Sequence, residues 1–340
     1  MTTLYLPKSD DLKVKPWKWD DHYDFPRNLI GYGSKSHNPE WPNNAKIAVS
    51  FVINYEEGAE NCVLNGDLHS ETGLWEKPGG EPYIQERAIN IESEYDYGSR
   101  AGVWRIFRLF NKYNIKYTLY AVGKALEDNP EVAKSSVENG HDIASHAYRW
   151  IDYHTVGPEE EKEYIRKGMD SIKNLTGSYP KGWYYGRLSP RSHALVWDVY
   201  KEKGVPLVWN SDSYADDVPY WQDVPAEKDD PNPKGMLMVP YSYDCNDFKY
   251  YVAQGFSAPN DFYDHIKSAF DVLYEEGVAG MPKMMTVALH CRCTGKPARL
   301  MALKKFVEYI TAKPGVWIAT RTQIAEHFAA TFPYKKGQLA

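Results

Sequence analysis

Short apolar runs alternate with stretches of helical periodicity from about residue 45 to residue 330 of this 340-residue chain. Residues 46–54 (KIAVSFVIN) are almost continuously apolar, as expected of a strand covered on both faces. Residues 102–113 (GVWRIFRLFNKY) space their apolar side chains three and four apart, which predicts an amphipathic helix. The same reading predicts strands at 116–122, 141–145, 182–185, 206–210, 236–240, 284–290 and 316–319. Helices are predicted at 130–139, 158–175, 189–203, 260–276, 296–311 and 322–330. Gly140 stands where a helix C-terminus favours a left-handed residue, and Pro158 occupies a first-turn position that needs no N–H. Strand-then-helix order without hairpin signals predicts a parallel sheet. Seven or so such units predict a closed or nearly closed barrel. Residues 58–98 and 212–235 break the rhythm and are expected to be long loops over the barrel mouth, of the kind that carries function. Residues 1–28, polar, aromatic and punctuated by proline, are expected to form an extension ahead of one domain at 29–332, with 333–340 as a tail.

Composition narrows the function. Hydrophobic residues make up 43% and charged residues 25% of the chain, enough for a full core. The net charge is −6 and both signs are interspersed; without a basic stripe, no nucleic-acid partner is expected. No apolar segment resembles a signal peptide or reaches membrane-span length, so no membrane association and a cytoplasmic location are expected. Cys62, Cys245, Cys291 and Cys293 form no CxxC pair and are expected to be reduced thiols. The 27 tyrosines and 11 tryptophans suit polar-lined pockets and subunit contacts, although core filling accounts for most of them.

Five polar clusters fall at the predicted C-terminal ends of strands, the rim on which parallel barrels build their sites. Glu56-Glu57 follows the first strand. Their side chains should point in opposite directions, so that one enters the mouth. Burial there would raise the proton affinity of that carboxylate and make it a general base; a solvated turn accounts for the pair equally well. His146 ends the strand at 141–145. Arg187 follows 182–185, and its guanidinium could grip a carboxylate bidentately or lie on the surface. Asp212 follows 206–210. His290 ends 284–290, where imidazole suits general-acid work or is a hydrogen-bonded core residue. No GxSxG elbow, Walker loop, HExxH or strand-linked GxGxxG occurs.

The order of these clusters resembles the five motifs of the NodB-like polysaccharide-deacetylase hydrolases. Glu56-Glu57 stands at that family's acidic pair, His146 in its histidine motif, Arg187-Leu188-Ser189-Pro190 at its Arg-x-Pro motif with one extra residue, Asp212 at its fourth motif and Leu289-His290 at its Leu-His motif. One departure matters. The second histidine of His-x-x-x-His is Trp150 here, and an indole N–H is only a donor and cannot bind a metal. Within the superfamily, the segments around 29–33, 54–60, 95–105, 146–153, 212–221, 271–277 and 289–292 resemble the metal-independent allantoinases.

That resemblance implies a deformed (β/α)7-type barrel, a homotetramer, and opening of the hydantoin ring of allantoin to a linear ureido acid with no metal and no cofactor. The partner implied is a small cyclic ureide or imide. The expected site has Glu56 as base oriented by Arg187, and His290 as acid with Asp212 holding its tautomer. Glu57, His146, Trp150, Arg100, Tyr185 and Arg292 are expected to bind substrate. A cyclic imide hydrolase, a metal-dependent deacetylase that recruits His154, and a non-catalytic ligand-binding barrel are the alternatives.

Overall fold

The computed structural model describes residues 17–77 and 80–337. The expected N-terminal extension and C-terminal tail therefore lie partly outside the described residues. The first strand, β1 (Ile47–Tyr55), is buried along its whole length. Its side chains obey the period of two. Val49, Phe51, Ile53 and Tyr55 join the apolar layer under the helices, whereas Ala48 and Val52 join the cluster inside the barrel. Asn54 and Glu56 continue the inward set, and Tyr55 and Glu57 the outward one.

Around β1 the sheet curls in parallel register. Thr118–Ala121 (β2) pairs with its C-terminal half, and Lys283–His290 (β8) runs along its other edge. From β2 the order continues through Asp142–Ser145 (β3), Gly182–Trp183 (β4), Trp209–Asn210 (β5) and Met236–Met238 (β7). Val316–Ile318 (β9) pairs with the N-terminal half of β1. Helices α2 (Val103–Lys112), α4 (Pro130–Glu138), α5 (Pro158–Thr176), α6 (Ser192–Lys203), α7 (Pro259–Val278), α8 (Pro297–Thr311) and α9 (Arg321–Thr331) follow the expected alternation.

The deformation lies between β7 and β8, where no regular ladder forms. The chain after β7 instead touches β8 through one parallel bridge, Asn246 to Ala288, and Ala288 N–H donates to the Cys245 carbonyl at 2.9 Å. The buried Arg321 side chain spans the gap from inside. Its guanidinium donates to Ser211 Oγ (2.9 Å), Thr286 Oγ1 (2.8 Å) and the carbonyls of Val239 and Pro240.

Three features depart from the expected pattern. The segment 212–235 is not all loop: Tyr220–Gln222 (β6) pairs antiparallel with β7 at the sheet edge. The segment 58–98 ends in α1 (Ile89–Tyr97), which buries only Ile91 and Tyr95 and so leaves too sparse an apolar stripe to read. Helix α3 (Gly123–Asp128), six residues long, is too short to show a period. A π-helical turn at Gly98–Gly102 joins α1 to α2. Two glycines there are steric requirements. A Cβ on Gly98 would lie 2.3 Å from Glu57 Oε1, and one on Gly102 would lie 2.0 Å from the Cys291 carbonyl oxygen. Gly102→Ala is therefore expected to destabilise the protein by about 1–3 kcal/mol through overpacking, measured as a lowered midpoint in urea.

The described part of the N-terminal extension packs on α6: His22 Nε2 lies 3.0 Å from Asp198 Oδ2, and Phe25 meets the His193 ring edge-on. Among the described residues the four cysteines are free and buried, and no helix is long and apolar enough to cross a membrane.

Candidate active site

A cavity of about 430 Å³ opens at the C-terminal rim of the parallel strands. Glu56, His146, Trp150, Tyr184, Arg187 and His290 line it, with Tyr241, Tyr243 and Phe248 forming an aromatic wall and Gly73 and Leu74 reaching over from the long loop. The strand alternation that turns Val52 and Asn54 inward delivers Glu56 to the cavity floor. Glu57 faces the opposite way. Its Oε2 accepts the Glu56 N–H at 3.0 Å and its Oε1 accepts the Arg292 N–H at 3.2 Å. The expectation that one carboxylate enters the mouth matches this geometry, but a substrate contact by Glu57 does not.

Trp150 reaches the cavity because the chain reverses directly after His146. Ala147 adopts a left-handed conformation, φ +63°, unusual for a residue with a Cβ. The turn aims the carbonyls of Ala147 and Tyr148 at the first N–H groups of α3, Gly123 (2.8 Å) and Lys124 (3.0 Å), and Trp150 N–H then donates to the Ala59 carbonyl at 3.0 Å. The Arg187 guanidinium carbon stands over the Trp150 ring, 3.5 Å from its centroid.

Glu56 is the electrostatic centre. Its Oε1 lies 3.3 Å from His146 Nε2 and 3.5 Å from His290 Nε2, and its Oε2 accepts a 2.8 Å bond from Arg292 Nη2. Burial alone would raise its pKa, but Arg292, His290 and His146 outweigh that and hold it well below the ordinary carboxylate range. The expected rise in proton affinity is thus reversed, because burial arrives together with cations. The opposite holds one residue on: burial keeps Glu57 above its ordinary value despite Arg292.

His290 is held by Asp247. Its Nδ1 donates to Asp247 Oδ1 at 2.7 Å, while Asp247 Oδ2 accepts the backbone N–H of His290 (2.8 Å) and of Thr294 (3.1 Å) and the Thr294 hydroxyl (2.6 Å). Burial would lower the His290 pKa, yet Glu56 and Asp247 together lift it to about 9. At neutral pH the floor therefore holds an ionised carboxylate beside a protonated imidazole. His146 Nδ1 donates to the Tyr184 carbonyl at 3.0 Å, which fixes that ring.

Several expected roles do not survive the geometry. Asp212 does not touch His290. Its carboxylate accepts the N–H groups of Tyr185 and Gly186 at 2.9 Å, and burial raises its pKa to about 6. Asp212 thus fixes the end of β4, and Asp247 is the partner of His290. Arg187 does not orient Glu56, since its Nη1 donates to Glu71 Oε2 at 2.9 Å. Arg292 does so instead, and being fully buried behind Glu56 it is screened from the cavity. Tyr185 points away from the mouth, against Tyr153 and Trp183; strand alternation presents Tyr184 to the cavity instead. Arg100 is exposed on the π-helical turn. Asp247 and Glu71 had no strand-end position to mark them, because Asp247 follows the irregular seam and Glu71 sits within the long loop.

The deacetylase motifs imply a divalent cation, and the side chains present do not fit one. Trp150 offers no lone pair, Glu57 is turned away, and guanidinium groups stand beside both Glu56 and Trp150. His154 is exposed on a turn and cannot replace the missing ligand. Among the described residues, the three-residue group with suitably close ligand atoms is Asp244, Cys245 and His265, outside this cavity.

The polysaccharide deacetylase family profile matches residues 86–208. A Schizosaccharomyces pombe protein that carries a polysaccharide deacetylase name is 48% identical over 322 residues, covering 91% of this chain and 98% of its own. The crystal structure of Puue allantoinase is similar at 45% identity and a TM-score of 0.85, over 92% of this chain and all of that one. A Pseudomonas aeruginosa PAO1 structure named for a polysaccharide deacetylase aligns at 44% identity and a TM-score of 0.84, over 92% and 100% of the two chains. With its motifs in order on the rim of this curled sheet, the chain belongs to the polysaccharide deacetylase family and is a hydrolase of that superfamily.

Proposed function

We propose that this protein opens the ring of a cyclic ureide, the hydantoin ring of allantoin, by general acid–base hydrolysis without a metal. The observation that carries the reading is the pairing on the cavity floor: an ionised Glu56 and a protonated His290, 3.5 Å apart, with no metal-binding set around them among the described residues. The 45% identity to Puue allantoinase supports it.

The chemistry follows from the proton positions. Glu56 takes a proton from water, and the oxygen adds to a ring carbonyl carbon. His290 gives its proton to the ring nitrogen as the C–N bond breaks. The new carboxylic acid ionises to solvent, and the proton on Glu56 returns His290 to its cationic form. An ordinary acetamide would resist this without a Lewis acid. A hydantoin nitrogen flanked by two carbonyls leaves more readily, and its amide is already held cis.

Protein freed of metals by a chelator is expected to open allantoin at the same rate as untreated protein, followed as loss of the ring in a colorimetric ureide assay. Activity that vanishes with the chelator and returns with zinc would overturn the reading in favour of a metal-dependent deacetylase. Turnover of succinimide but not allantoin would move the substrate to the cyclic imides.

A further inference from the structure

The reassignment of Arg187 leaves a strongly directional group without a function. Its guanidinium is clamped on two sides. The Trp150 ring lies beneath it at 3.5 Å, and Glu71 grips one edge through Nη1 at 2.9 Å. Glu71 is itself rigid: its Oε1 accepts the N–H groups of Thr72 and Gly73, both at 2.9 Å, and its Oε2 also accepts from Asn61 at 3.1 Å. Among the described residues, Arg187 Nε and Nη2 make no hydrogen bond. Nη2 lies against Gly73, where a Cβ would stand 3.4 Å from it, and both residues line the cavity. Nε and Nη2 are therefore donors left over beside the cavity, and a planar acceptor bound at its Arg187–Trp150 side could take them up.

Charge decides which acceptor. In and immediately behind the cavity wall, Arg187, Arg292 and His290 each already have a carboxylate partner, Glu71, Glu56 and Asp247 in turn. Glu71 in particular spends the positive charge of Arg187 within the protein. A site so balanced gains little from a second carboxylate, while its open N–H groups still need a partner.

We infer that Arg187, held between Trp150 and Glu71, is a specificity-determining residue that binds a neutral carbonyl on an arm of the ring, so that the site selects a ureido-substituted ring over a bare ring or one with a carboxylate arm. The inference rests on the ring-opening reading. Three probes with the same ring test it: hydantoin with no arm, allantoin with a neutral ureido arm, and hydantoin-5-acetate with a charged one.

Arg187→Met keeps the length and the contact with Trp150 but has no donors. It is expected to lower the ratio of kcat/KM for allantoin to that for hydantoin by about 10- to 100-fold, the range of a hydrogen bond to a charged group, and mainly through KM. Glu71→Gln tests the charge argument separately. It leaves Arg187 uncompensated and is expected to raise the ratio for hydantoin-5-acetate over allantoin about tenfold. An Arg187→Met enzyme in which allantoin and hydantoin fall together overturns the inference and makes Arg187 a structural group. So does a Glu71→Gln enzyme whose preference between the two arms is unmoved. Wild-type protein that opens none of the three rings overturns the ring-opening reading and this inference with it. Wild-type turnover of the rings with unaltered ratios in both variants sinks the inference alone.

Discussion

Glu56→Gln is expected to lower ring opening by about 10²–10⁴-fold, the usual contribution of a positioned general base. The amide cannot take a proton from water, and no second carboxylate replaces it, because Glu57 faces the helices with both oxygens engaged by backbone N–H groups. The fold should nevertheless survive. Breaking a buried ion pair by removing one partner typically costs about 3–5 kcal/mol, but Arg292 Nη1 also stands 3.5 Å from Glu57 Oε1. The charge on Glu56 is one of the causes that keep Glu57 raised. With that charge gone, Glu57 ionises more readily and compensates Arg292. A Glu56→Gln variant that melts near the wild type but turns over normally would remove Glu56 as the base.

Asp247→Asn should also lower the rate, and its signature is the pH profile. The proposed mechanism needs Glu56 ionised and His290 protonated, so activity is expected to span the interval between a low carboxylate pKa and about pH 9, where His290 loses its proton. Asp247 is one of the two charges that lift His290. Without it the imidazole pKa falls toward its ordinary value, and the basic limb of kcat/KM moves to lower pH. At pH 8 an imidazole at its ordinary pKa is only about 3% protonated, so the rate falls by up to about 30-fold through loss of the acid. A loss of rate with an unmoved basic limb would show that Asp247 only supports the fold.

The barrel was legible because its strands are apolar runs and its helices carry regular stripes, and the long elements β1, β8, α5 and α7 lie within a residue or two of their expected bounds. What escaped was local: α1 buries too few residues, α3 is too short, and β6 pairs only at an edge. For the site, position on the rim was readable and partnership was not. Strand ends placed Glu56, His146 and His290 around one cavity. Which acid faces which base depends on the seam and on the long loop, neither of which has a period, so Asp247 and Glu71 were missed and Asp212 received the role of Asp247. Parity at β4 is readable from Trp183, which packs outward: alternation presents Tyr184 rather than Tyr185. The sign of the Glu56 shift was also out of reach, since it depends on a cation 236 residues away in sequence.

The seam between β7 and β8 carries one further meaning. His290 belongs to a regular strand, but the aspartate that keeps it protonated arrives on the irregular chain that shuts the barrel, and the Thr294 that locks this aspartate lies beyond β8. Closure of the barrel and arming of the acid are therefore a single event. A molecule whose last gap is still open would have β8 and Glu56 in place but would lack the Asp247 share of the lift on His290.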